Sequence, residues 1–80
     1  MIDRSPTLPL DLLSRDERAE IVQIDGPPDD VHRLDEMGLR PGVVIRVVSA
    51  GSPCILAVGE TRLSFRPSDD SVVLVQPLRS

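Results

Sequence analysis

Few side chains in this sequence can do chemistry, and their types narrow what the chain can be. His32 is the only histidine and Cys54 the only cysteine. With Asp29, Asp35 or Glu36 nearby on a helix, His32 is a candidate ligand for a divalent transition metal. The plainer reading is a solvated helix face, because no second imidazole or thiolate accompanies it and surface carboxylates are ordinarily just hydrated. Cys54 is a candidate thiolate ligand or redox sensor, against the alternative of a small buried hydrophobe. Asp29-Asp30 and Asp69-Asp70 resemble paired carboxylates for acid–base work or for a hard cation. Both pairs fall where a helix is expected to start, so capping accounts for them without a ligand. No nucleophile, base and orienting group can be assembled from these residues, and an enzyme is the least favoured class.

The elements that position these groups are few. Eighty residues make one domain, and chains of that size bury only about 60% of the surface their unfolded form exposes. Hydrophobic content is 40% with a single aromatic residue, Phe65, so the core is built from Val, Leu and Ile, which suits β-structure. All nine basic residues are Arg, and thirteen carboxylates leave a net charge of -4. Without a basic stripe or interleaved aromatics, nucleic acid is not an expected partner. A lone cysteine rules out an internal disulfide and fits a reducing compartment. The start, MIDRSPTLPLDLL, lacks the basic opening and unbroken apolar run of a signal peptide, and no segment is apolar enough to span a bilayer. These features predict a cytoplasmic protein that is not inserted in a membrane.

Along the chain, residues 1–7 read as a loose leader, 8–77 as one domain and 78–80 as a tail. Leu8 to Leu13 predicts a helical turn laid across the domain. Arg18 to Ile24 predicts a strand whose apolar set changes parity between Ala19/Ile21 and Val22/Ile24, the mark of a bulge. Asp29 and Asp30 cap an expected helix of about eight residues with Val31, Leu34 and Met37 on one side and an Asp29–Arg33 pair on the other. Gly38 can end that helix in the left-handed conformation, and Arg40-Pro41-Gly42-Val43 has the Pro and Gly positions of a type II turn. Val43, Ile45 and Val47 alternate along the next strand. Cys54 to Val58 and Thr61 to Phe65 predict a hairpin across Gly59-Glu60, a turn of type II′. Its register pairs Val58 with Thr61, Leu56 with Leu63 and Cys54 with Phe65. Ile55, Ala57, Arg62 and Ser64 are then outside. Arg66 to Asp70 predicts a 3₁₀-like turn, and Val72 to Val75 a last strand ended by Pro77. Five strands, one short α-helix in the first long loop and an N-terminal helical turn make a mainly β, small SH3-like barrel. The last strand, taken as an edge, leaves homo-oligomers open.

Within that frame the corner Met37-Gly38-Leu39-Arg40-Pro41-Gly42, the loop Gly51-Ser52-Pro53, the strand Arg62-Leu63-Ser64-Phe65-Arg66 and the closing Val72 to Val75 resemble the FeoA family of small bacterial proteins over about residues 8–76. The chain departs from the usual pattern in a shorter loop after Val48, in Ser52 where Asp is usual, and in Ile55 where a polar residue is common. The resemblance implies a non-enzymatic accessory protein of bacterial ferrous iron uptake that binds the cytoplasmic G-protein part of the FeoB membrane permease. The alternative is a weak transition-metal-binding or metal-responsive domain, with His32 as the candidate ligand for Fe2+ or another divalent transition metal. Gly38, Pro41 and Gly42 are read as structural. Leu39 and Arg40, at the tip of the corner, are read as protruding partner-binding residues, joined by Ser52, Ile55 and Arg62.

Overall fold

The computed structural model describes residues 7–51, 53–66 and 71–78. A two-residue strand, β1 (Leu8–Pro9), leads into a 3₁₀ turn at Leu10–Leu12. Then follow β2 (Arg18–Asp25), α1 (Pro28–Glu36), β3 (Val44–Ser49), β4 (Cys54–Val58), β5 (Thr61–Phe65) and β6 (Val72–Pro77). Every ladder is antiparallel, in the order β1-β6-β2-β3-β4-β5. The mainly β, SH3-like architecture expected from sequence is the one observed, with two refinements. The first is a sixth strand, where Leu8 and Pro9 pair with Val75 and Leu74. Proline has no N–H to give a ladder, so β1 can exist only at the rim of the sheet. The second is that β1 and β5 share no ladder among the described residues, so the curled sheet stays open. β6 is consequently not a free edge along its whole length: β2 flanks one side, and on the other β1 covers Leu74 and Val75.

The hairpin follows the predicted register at all five pairs, from Cys54 opposite Phe65 to Val58 opposite Thr61. Gly59 has φ of 59° and Glu60 is not in the left-handed region, which is the pattern of a type II′ turn. Cys54, Leu56 and Phe65 are buried, while Val58 and Leu63 pack against the core from its margin. Arg62 and Ser64 are exposed as expected, but Ile55 and Ala57 are half-buried. In β2 the predicted bulge lies between Ile21 and Gln23. Val22 is the extra residue and is pushed outward to 43% exposure, after which Ile24 returns to the core. One inserted residue thus reconciles two apolar sets of opposite parity.

Some details of the N-terminal half differ from expectation. Leu10 and Leu13 are buried and Leu8 packs against the core, but Leu12 points away and is 65% exposed. The helix is capped by Pro27, without a side-chain hydrogen bond, and not by Asp29 or Asp30. Pro28 occupies the first helical position, where its missing N–H costs nothing and its fixed φ is already helical. The two aspartates lie in the first turn, where negative charge favours the helix dipole. Among the described residues no Asp29–Arg33 pair forms; Arg40 reaches the helix instead, at Asp35. The expected turn from Arg66 to Asp70, with its Asp69-Asp70 pair, lies largely outside the described residues, as do Ser52 and most of the leader and tail.

The corner after α1 explains the largest correction. Gly38 has φ of 92°. Its N–H donates to the Asp35 carbonyl at 2.9 Å, and the Leu39 N–H donates to the Leu34 carbonyl at 2.9 Å. These two returns form a Schellman closure, which brings the second residue past the cap into apolar contact with the helix's last turn. Leu39 is therefore fully buried, in one cluster with Leu34, and does not protrude. It is withdrawn from the partner-binding set. The turn that follows has Val43 N–H on the Arg40 carbonyl at 3.2 Å and Gly42 at φ of 94°, as type II requires. Gly42 N–H then donates to the Ile21 carbonyl at 2.8 Å, and Ile21 N–H to Val43 at 2.9 Å, so the corner is fastened to β2 beside its bulge.

Replacing Leu39 by Ala should lower the unfolding free energy by about 2–5 kcal/mol, the range for a buried leucine. Leu12→Ala should change it by about 0.5 kcal/mol or less. Urea titration followed by circular dichroism measures both; equal effects would contradict the burial assigned to Leu39.

Candidate functional site

With Leu39 inside, Arg40 is what the corner offers to solvent. Its Nε lies 3.2 Å from Asp35 Oδ1, and both side chains are more than half exposed. A pair this open is worth about 0–1 kcal/mol, so Arg40 can exchange Asp35 for another carboxylate at little cost.

A second cationic row runs along β5. Alternation sends Leu63 and Phe65 toward the core and leaves Arg62 and Ser64 exposed, with exposed Arg66 at the next alternate position past the strand. Across the ladder, Ala57 stands opposite Arg62 and Ile55 opposite Ser64. The sequence-derived Ile55 and Arg62 therefore share one face of the hairpin, with Ile55 already half-covered.

That row leads to a cleft of about 230 Å³ between α1 and the end of β5. On the helix side Asp30, Arg33, Leu34 and Met37 line it, at spacings of three and four residues that put them on one face. On the strand side stand Ser64, Phe65 and Arg66. Leu34, Met37 and Phe65 make an apolar wall, while Arg33 and Arg66 are exposed cations that share the cleft, among the described residues, with one carboxylate, Asp30. Sequence reasoning missed this constellation. The signal lies in the helical spacing, but the i,i+4 spacing of Asp29 and Arg33 suggests an ion pair along the helix, and Arg66 comes to the helix only through the fold.

The candidate metal ligand is placed differently. His32 stands on the outer face of α1, its Nε2 3.7 Å from Glu36 Oε1, with side chains 74% and 66% exposed. Among the described residues no three His, Cys, Asp or Glu side chains gather into a ligand set. Cys54 is buried in the core opposite Phe65. Burial pushes its thiol up from the ordinary value, with Asp11 adding to the rise against a partial offset from a backbone hydrogen bond. A neutral, enclosed thiol is a poor nucleophile and a poor ligand. Among the described residues no helix is long and apolar enough to cross a membrane.

Comparison with protein families matches the FeoA domain over residues 8–77. No curated protein sequence matches the chain. Among solved structures, the chain is similar to one titled as the crystal structure of an iron uptake regulatory protein, FeoA. The TM-score is 0.83 at 28% identity, covering 91% of this chain and 100% of that one.

The raised thiol of Cys54 predicts a pH effect with a definite sign. In the unfolded chain the thiol ionises near its ordinary value of about 8.5, while the folded chain holds the proton to higher pH. Stability carried by this group is full below the unfolded value and falls as pH rises toward the folded one. The chain has no Lys or Tyr to titrate in the same window. Urea midpoints should therefore decline from pH 8 to pH 10 for the wild type and stay nearly level for Cys54→Ala; parallel curves would contradict the assignment.

Proposed function

The chain belongs to the FeoA domain family, and on that premise we propose that it is a non-enzymatic accessory protein of ferrous iron uptake that docks on the cytoplasmic part of a FeoB-type permease. The match over residues 8–77, with the same fold in a solved FeoA structure, is the observation that carries this reading. A cytoplasmic location follows from the partner. The geometry suits a docking domain. Its core holds no buried polar group among the described residues, so its distinctive chemistry is on the surface.

The docking surface in this reading is cationic. Arg40 at the corner and Arg62 on the hairpin are exposed guanidiniums on a chain whose net charge is -4. Guanidinium pairs with carboxylate in a forked geometry, which gives register as well as attraction. Ile55 supplies a half-covered apolar neighbour on the same face as Arg62. Ser52, in the loop before β4, belongs to the proposed surface on sequence grounds alone. Metal binding through His32 is the weaker reading, because one imidazole and one carboxylate make an incomplete site for a transition ion.

Isothermal titration of the chain with the permease's cytoplasmic domain should show saturable binding. Arg40→Glu and Arg62→Glu should each weaken it by about two- to fivefold, the scale of exposed charge pairs. Absence of binding, together with unchanged ferrous uptake after deletion of the gene, would overturn the reading. Calorimetry with Fe(II) alone should give no heat that His32→Ala removes.

A further inference from the structure

Three observations at the α1–β5 cleft point in one direction. The first is charge. Among the described residues Arg33 and Arg66 flank the cleft against one lining carboxylate, Asp30, on a chain that is acidic overall. Among the described residues neither guanidinium has a carboxylate partner, whereas Arg40 and Arg46 pair with Asp35 and Asp16. The second is size. About 230 Å³ falls below the roughly 300–1,000 Å³ of pockets that enclose drug-sized ligands. Such a volume suits a side chain, and Leu34, Met37 and Phe65 make its wall apolar. The third is the strand. Ser64 and Phe65 belong to β5, which ends the sheet and among the described residues pairs only with β4. An unpaired strand offers main-chain donors and acceptors to an extended segment.

We propose that the α1–β5 cleft binds an extended, acidic-apolar peptide segment of a protein partner, an apolar side chain seated against Leu34, Met37 and Phe65 and flanking carboxylates held by Arg33 and Arg66. This rests on the docking reading and deepens it by naming the chemistry of what docks. Met37 adapts its shape to different apolar side chains more readily than a branched residue would. The two arginines sit on different elements, so they fix the segment's direction as well as its charge. Arg62 continues the cationic row along β5 and extends the contact beyond the cleft.

The test separates this cleft from the wider function. A displayed library of random dodecapeptides is panned on the full chain, and selected peptides are then measured by fluorescence anisotropy. The expected result is enrichment of Asp or Glu beside Leu, Ile or Phe, with binding weakened about tenfold or more in the Arg33→Glu/Arg66→Glu double variant. Both residues are exposed, and although Arg33→Glu loses a favourable cation from the last turn of α1, the variant should lower the unfolding midpoint only slightly and remain folded. Selected peptides that are basic, or binding indifferent to the double variant, would overturn the proposal. Retained permease binding by that variant would overturn the cleft's role and leave the docking function standing. Peptide binding without permease binding would do the reverse.

Discussion

The return of the Leu39 N–H to the Leu34 carbonyl is the constraint on which the rest of the structure depends. It ends α1, turns Leu39 into the core, and leaves the chain aimed so that Arg40 to Val43 can close a type II turn against Ile21 of β2. A nine-residue helix is too short to persist alone. Its position comes from this closure and from Leu34 and Met37 packing on the sheet. Because the helix is held there, its Asp30, Arg33, Leu34 and Met37 face meets the end of β5 and forms a cleft.

Seen this way, the corner and the surface have separate roles. Gly38 and Gly42 adopt positive φ values that ordinary residues avoid, and a Cβ at either would meet no atom within 4 Å. Their requirement is therefore conformational and not steric. In the proposed docking, recognition falls to side chains that the folded core does not use. Arg33, Arg40, Arg62 and Arg66 are all exposed, and two line the cleft. An acidic chain that displays arginines on α1, its corner and β5 has exposed cations that carboxylates of the proposed partner can pair with.

Much of the fold was legible in the residues because the patterns were local. Gly59-Glu60 between two alternating segments determined the hairpin register, and the parity change in β2 located its bulge. What was not legible depended on contacts across the chain. Leu39 looked like an exposed tip when only the turn was considered; its burial follows from its pairing with Leu34, five residues back. β6 read as an edge because β1 is only two residues long and contains a proline, a strand that exists only by resting on β6. Of the candidate site, Arg40 and Arg62 were visible as exposed cations, whereas Arg33 and Arg66 acquire a common role only once α1 is laid beside β5.

In the proposed docking, the corner builds the domain while the arginine-bearing side of α1 and β5 meets the partner. Amide chemical-shift mapping of the isotope-labelled chain, titrated with the permease's cytoplasmic domain, addresses it most directly. Perturbations should concentrate at Arg33, Met37, Ser64 and Arg66 and spread to Arg62 and Arg40. Perturbations confined to the exposed apolar points at Val22 and Val44, or spectra unchanged by the partner, would contradict that docking.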